Sequence, residues 1–315
     1  MTNIQATELS PSSDCSHDPE QRSQTFALRS AKIGRGTVIK RALPSREKRM
    51  IGAWCFLDHA GPVNFESGQG LDIGPHPHTG LQTFTWMIEG SMMHHDSLGS
   101  AQLIQPNQVN LMTAGYGISH TEVAPAGETK MHSVQLWIAL PDDKKDMPPQ
   151  FEHYPDLPVI AQDQIRFTLL VGEFLGAQSP VQVHSPLLGV DLQAEVQAQT
   201  TLPLNPRFEY GVLVLQGTAQ VNGQLLDDQH LLVLSPGESQ LQLELEAGSR
   251  VVLVGGEPFE SPILLWWNFV GRTQEDMLQA REQWINQDER FGHIPSYDGE
   301  RMTVPMLPER MRPSK

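Results

Sequence analysis

The segment TFTWMIEG at residues 83–90 returns as YGVLVLQG at 210–217, and NLMTAG at 110–115 returns as LVLSPG at 232–237. The spacing from first glycine to last is similar in the two copies, 25 residues from Gly90 to Gly115 against 20 from Gly217 to Gly237. A chain that repeats its pattern on this scale builds one structural unit twice. Within each copy, short apolar segments such as LQTFTWMIEG, QVNLMTAG, SVQLWIALP, QIRFTLLVG and RVVLVGG alternate with Gly, Pro, Asn and Asp turns. That rhythm predicts antiparallel β-structure in a sandwich or barrel. The duplication predicts two barrels.

Length and composition agree with this. A chain of 315 residues has room for two ordinary domains. Its 39% hydrophobic content, with 26 Gly and 24 Pro scattered along it, suits a turn-rich globular protein rather than a collagen-like or disordered one. Residues 1–24 are polar and aperiodic and are expected to form a flexible tail. Residues 25–145 form the first barrel, 146–160 a linker, 161–272 the second barrel, and 273–315 a helix with a terminal tail. The linker overlaps the stretch 141–158, which carries five prolines and a charge run. The helix is predicted over 273–287, where Thr273, Glu275 and Asp276 give a capped, acidic first turn. Its apolar face holds Met277, Leu278, Trp284 and Ile285 with the Arg281 stem.

Charge and cysteine content narrow the function. A formal charge of −15 repels phosphate backbones, and the cluster Arg46, Lys48, Arg49 is too short to offset it, so direct nucleic-acid binding is not expected. Cys15 and Cys55 do not make a disulfide framework. No basic start leads into an apolar run, and no apolar stretch reaches the roughly 20 residues that span a bilayer. The expectation is a soluble cytoplasmic protein without membrane contact.

Chemistry concentrates in the first copy. His76-Pro-His78 is followed downstream by His120-Thr-Glu122. On a strand, residues two apart share a face, so each pair aims two side chains at one point, and neighbouring pairs make a four-donor site. Three imidazoles and a carboxylate suit Fe(II), Mn(II), Ni(II), Cu(II) or Zn(II). An octahedral ion on four protein donors keeps two positions open. A bland reading makes these turn and rim residues, but the repeat speaks against it: Pro203 and Asn205 align with His76 and His78, and Gln242 and Glu244 with His120 and Glu122. A purely structural role would have been needed in both copies.

Other polar residues have plainer readings. His94-His95-Asp96 is expected at an exposed rim, since adjacent strand residues face opposite ways. His59 and His132 are expected to be buried and hydrogen-bonded in barrel walls. Phe84, Trp86, Met87, Met92 and Met93 are expected in the core. Gly34, Gly36, Gly115 and Gly117 do not sit between a strand and a helix, which excludes a phosphate loop.

The segments HPHTGLQTFTWMIEG, DSLGS, MTAGYGISHTE, QLWIALP and NFVGRTQEDMLQAREQW together resemble pirins, two-domain members of the cupin superfamily. The resemblance spans about residues 26–290 and implies an all-β bicupin, two jelly-roll β-barrels face to face with a C-terminal helix. It implies one metal, usually iron, in the N-terminal barrel on His76, His78, His120 and Glu122. It also implies a dioxygenase of the quercetin 2,3-dioxygenase type, which opens a flavonol with O2 and releases carbon monoxide. Glu122 would then double as metal donor and catalytic proton acceptor. Some pirins instead act as metal-binding regulators of transcription factors or metabolic enzymes, and the acidic chain suits such a protein partner. The chain departs from many pirins at Gln82, where they carry Glu, and an altered polarity beside the metal site is expected from that change.

Overall fold

The computed structural model describes residues 23–34 and 36–314. All but the last two residues of the expected N-terminal tail lie outside that range. Among the described residues, twelve strands precede residue 155: β1 Ser23–Ala27, β2 Arg29–Ile33, β3 Thr37–Leu43, β4 Trp54–Asn64, β5 Asp72–His78, β6 Leu81–Gly90, β7 Met92–Asp96, β8 Ala101–Ile104, β9 Val109–Thr113, β10 Ile118–Val123, β11 Lys130–Ala139 and β12 Gln150–Tyr154. They build a seven-stranded sheet ordered β12-β9-β6-β11-β4-β3-β2 and a four-stranded sheet ordered β5-β10-β7-β8. Together the two sheets enclose the first barrel.

The second barrel repeats this plan strand for strand. Its large sheet runs β1, His230–Leu234, Glu209–Gln216, Ser249–Gly256, Leu187–Ala194, Ile165–Val171, Val159–Gln162, and its small sheet also has four strands. The repeated segments occupy matching places: β6 corresponds to Glu209–Gln216 and β9 to His230–Leu234. The chain is therefore an all-β bicupin. The edge strands are exchanged. β1 precedes the first barrel yet pairs with His230–Leu234 of the second, and β12 precedes the second barrel yet pairs with β9 of the first. The stretch read as a linker thus contains a strand. Its prolines bracket QFEHY without interrupting it, which leaves those five residues free to pair at a sheet edge.

The two large sheets pack against each other. Phe84, Trp86, Val134 and Leu136 of the first meet Leu213, Leu215, Leu231 and Val252 of the second in one buried cluster. Polar anchors cross the same seam. Trp86 Nε1 donates to Asp191 Oδ2 at 3.1 Å, and Arg250 Nε donates to the same oxygen at 2.9 Å. Glu209 accepts the Gly52 N–H at 2.7 Å and also pairs with Lys48. Inside the second barrel, Phe167, Val190, Leu192, Leu241, Leu243 and Leu245 fill the space that a site would need. Gln242 and Glu244, which the sequence alignment sets opposite His120 and Glu122, alternate outward from that core.

After the second barrel the chain returns to the first. The helix α1, Gln274–Ile285, starts at Thr273 with a reciprocal capping box to Asp276 and buries Met277, Ala280 and Trp284, while Ile285 stays half exposed. The C-terminal segment is tied to the first barrel by Val270 N–H to Thr79 O at 3.0 Å, Met302 N–H to Pro75 O at 2.8 Å and Ser119 Oγ–H to Phe291 O at 2.7 Å. None of the described helices is long and apolar enough to cross a membrane.

Replacing Asp191 by Ala strands the Arg250 guanidinium in the buried seam, where its side chain is 13% exposed. Loss of about 3–5 kcal/mol is expected in equilibrium urea unfolding.

Candidate metal centre

Strands β5 and β10 pair antiparallel with His76 opposite His120 and His78 opposite Ile118, so three imidazoles face the interior of the first barrel. One nitrogen from each of His76, His78 and His120 lies within 4.8 Å of the other two, the sole such group of three or more among the described residues. His78 Nε2 and His120 Nε2 stand 3.1 Å apart. Glu122 lines the same cavity but lies outside this tight group. The cause is local: the ladder shifts register between His120 and Glu122, which pairs Glu122 with Ile73. Such a bulge re-aims a side chain.

The hydrogen bonds behind the rings fix their tautomers. His76 Nδ1 donates to Gly74 O at 2.9 Å and His78 Nδ1 to Asn268 O at 3.1 Å. His120 Nδ1 meets His94 Nδ1 at 3.3 Å, and His94 Nε2 donates to Asp96 Oδ2 at 3.0 Å. With His94 protonated at Nε2, its Nδ1 accepts the proton of His120 Nδ1. Each of the three central rings then presents an unprotonated Nε2 lone pair, the form that binds a cation. Burial keeps them neutral: it lowers His76 to about 4 and carries His78 and His120 well below the usual histidine range. Two lone pairs 3.1 Å apart repel unless a cation lies between them. The donor set therefore fits a divalent transition metal. The Glu122 carboxyl makes no hydrogen bond to a described residue, and burial alone pushes it up to about 7.

Two expectations from the sequence need correction. His94 and Asp96 are buried at 3% and 2% exposure and do not sit at a rim. The informative spacing in His94-His95-Asp96 is the outer pair, two residues apart on β7 and on the same inward face. Burial would raise the Asp96 carboxyl, but hydrogen bonds from His94 and the Ser100 backbone hold it below its ordinary value. Gln82 is the second. It is fully buried, donates to Thr113 Oγ1 at 2.9 Å and Gln182 O at 3.3 Å, and does not line the cavity. Its place on β6 turns it toward the second barrel, while its neighbour Thr83 faces the histidines' cavity. His59 and His132 behave as expected: both are buried, Nε2 to Nε2 at 2.9 Å, away from that cavity.

The cavity holds about 500 Å³, the size that takes a drug-like aromatic molecule. Trp137 packs edge-on against His78 with ring centres 5.0 Å apart and stacks on Phe56 at 4.0 Å. Trp267, Asn268 and Met302 close one side from the C-terminal segment, a contribution no local sequence pattern announces.

Two jelly-roll barrels on a shared seam, with histidines gathered in one of them, define a two-domain cupin. The pirin profile matches residues 36–138, and the pirin C-terminal cupin domain profile matches residues 189–292. The chain belongs to the pirin family. A crystal structure of quercetin 2,3-dioxygenase from Acinetobacter baumannii superimposes with a TM-score of 0.93 at 65% identity, over 94% of this chain and 99% of that one. A Pseudomonas aeruginosa relative, provisionally named for the same activity, is 49% identical over 301 residues, 96% of each chain. Human pirin is 28% identical over 255 residues, 78% of this chain and 86% of that one.

The Glu122 carboxyl titrates near 7 when folded and near 4.5 when unfolded, so the folded state holds the extra proton between those values. Its ionisation costs stability as pH rises through that window and the cost is complete above 7. In chelator-treated protein, the stability gained by Glu122→Gln over wild type is expected to grow by about 3 kcal/mol between pH 4 and pH 8 in urea titrations.

Proposed function

We propose that this protein is a metal-dependent dioxygenase of the quercetin 2,3-dioxygenase type, with one metal, Fe(II) in the first instance, on His76, His78, His120 and Glu122. The observation that carries the reading is the set of outward-anchored Nδ1 atoms behind three converging Nε2 atoms. The name of the Acinetobacter baumannii relative supports the reaction class. A bound divalent ion would lower the pKa of a flavonol or catechol hydroxyl and bring it beside O2.

The protein's own residues do the rest. Trp137 and Phe56, stacked on each other at 4.0 Å, line the cavity next to His78 as an aromatic wall beside which a flat ring can sit. Glu122 lines the cavity beside the histidines with no competing hydrogen bond from a described residue, and in this reading its carboxylate takes the proton that leaves the substrate hydroxyl. The bulge that sets it apart from the three imidazoles gives it freedom to serve as a proton acceptor as well as a fourth donor. His94 and Asp96 hold the His120 ring in its metal-binding tautomer. The apolar walls of Ile39, Leu71, Ile73 and Met92 keep water from the reacting ring.

Two outcomes follow from this reading. His78→Ala is expected to lower metal content and flavonol-dependent oxygen uptake together by at least 100-fold, measured on one reconstituted sample; full turnover by metal-stripped wild type would sink the mechanism. Metal binding to the wild type at pH 6 is expected to release about one proton per ion, since the Glu122 carboxyl is largely protonated there while the histidines are neutral. At pH 8.5 that proton is already gone, and Glu122→Gln abolishes the difference. Calorimetry in buffers of unlike ionisation enthalpy reads the count.

A further inference from the structure

The inner face of the large sheet is ordered in rows. Register across the strands places Thr85 opposite Gln135, Gln135 opposite Asp58 and Asp58 opposite Arg41, a continuous polar stripe over β6, β11, β4 and β3. One step along the strands toward the histidines, Thr83, Trp137 and Phe56 form an aromatic row. One step the other way, Ser133, Ala60 and Ile39 form a small and apolar row. All these residues line the histidines' cavity. Successive rows lie about 7 Å apart, the two-residue repeat of a strand.

The polar stripe is partly satisfied within itself. Thr85 Oγ–H donates to Gln135 Oε1 at 2.8 Å, and Arg41 grips Asp58 through Nε and Nη2 at 2.8 and 2.7 Å. Both Asp58 oxygens are occupied. What the stripe leaves over is donors: Arg41 Nη1 and Gln135 Nε2 have no hydrogen-bond partner among the described residues. Arg41 also lies 4.5 Å above the Phe56 ring, so the cationic and aromatic rows touch. A guanidinium in an apolar cavity, held rigid by a bidentate carboxylate with one edge free, is a reader of oxygen acceptors.

Building on the flavonol reading above, we infer that Arg41 and Gln135 are specificity-determining residues of this cavity: their free donors take an acceptor oxygen, a ring hydroxyl or carboxylate, at the end of the substrate away from the histidines, while its ring sits beside the Trp137 and Phe56 wall. One end of the molecule is chosen by the histidines and the other by the stripe. A flavonol with its single central-ring hydroxyl satisfies the first alone.

The test is equilibrium binding to metal-reconstituted protein without oxygen, read by ligand absorbance. The probes are 3-hydroxyflavone and two analogues with added hydroxyls on the fused ring or on the pendant ring. One hydroxylated analogue is expected to bind about 10-fold tighter than 3-hydroxyflavone. The affinity ratio is expected to collapse to within about 3-fold in Gln135→Leu and in the double variant Arg41→Met/Asp58→Leu. The double variant removes both charges so that neither is stranded, and its melting curve reports the fold. Equal affinities in the wild type, a ratio unchanged in both variants, or no binding of any probe each overturns the inference. Selective binding without oxygen uptake leaves it standing and removes the proposed reaction instead.

Discussion

The two-residue repeat of β11 governs the molecule. Its odd-numbered residues Met131, Ser133, Gln135 and Trp137 line the cavity, and its even-numbered residues Val134, Leu136 and Ile138 belong to the seam with the second barrel. β11 pairs with β6 on one side and β4 on the other, which carry the same division. A slip of one residue would exchange the two faces, sending Leu136 into the cavity and Trp137 into the seam. The apolar cluster between the barrels thus holds the register that the cavity depends on. The second barrel, although its interior is packed with leucine and valine, serves the site through this sheet.

The site itself is assembled from distant parts of the chain. β5 and β10 bring three histidines, β7 supplies His94 and Asp96 behind them, and Asn268, from beyond the second barrel, accepts the His78 proton. Each imidazole is aimed by a hydrogen bond on its far side, so the converging nitrogens keep their lone pairs. Glu122 differs from them in having no such support, and a bulge separates it from His120. Three rigidly aimed nitrogens thus stand beside a carboxylate that no hydrogen bond from a described residue fixes.

Much of this was legible in the sequence because it rests on short-range periodicity. The duplicated segments correspond to matching strands of two matching sheets, and Thr273 with Asp276 caps α1. The paired spacing of His76 with His78 put their side chains on one face, as strand geometry requires. The misjudged residues share a cause: they depend on which face a strand presents, or on contacts far along the chain. Counting adjacent residues in His94-His95-Asp96 hid the inward pair His94 and Asp96. Gln82 has the spacing of a site residue, but it is turned to the seam because the cavity face of β6 begins at Thr83. The polar stripe joins Arg41, Asp58, Thr85 and Gln135 across four strands, and no local pattern links them. Asn268 reaches His78 only through the return of the C-terminal segment.

The exchanged edge strands set a timetable for synthesis. β1 emerges among the first residues described, yet its partner is made only when the chain reaches His230–Leu234, with Ser23 opposite Leu234. At the usual elongation rates of about 5–20 residues per second, that is a wait on the order of 10–40 s. Throughout it β1 is without its sheet partner, while every strand of the first barrel's own large sheet, β12 included, has been made by residue 154. Trp267, Asn268 and Met302, which close one side of the cavity beside His78, are made only after the strands of the second barrel. The order of translation therefore leaves the histidine cavity without one of its walls while the whole second barrel is being made.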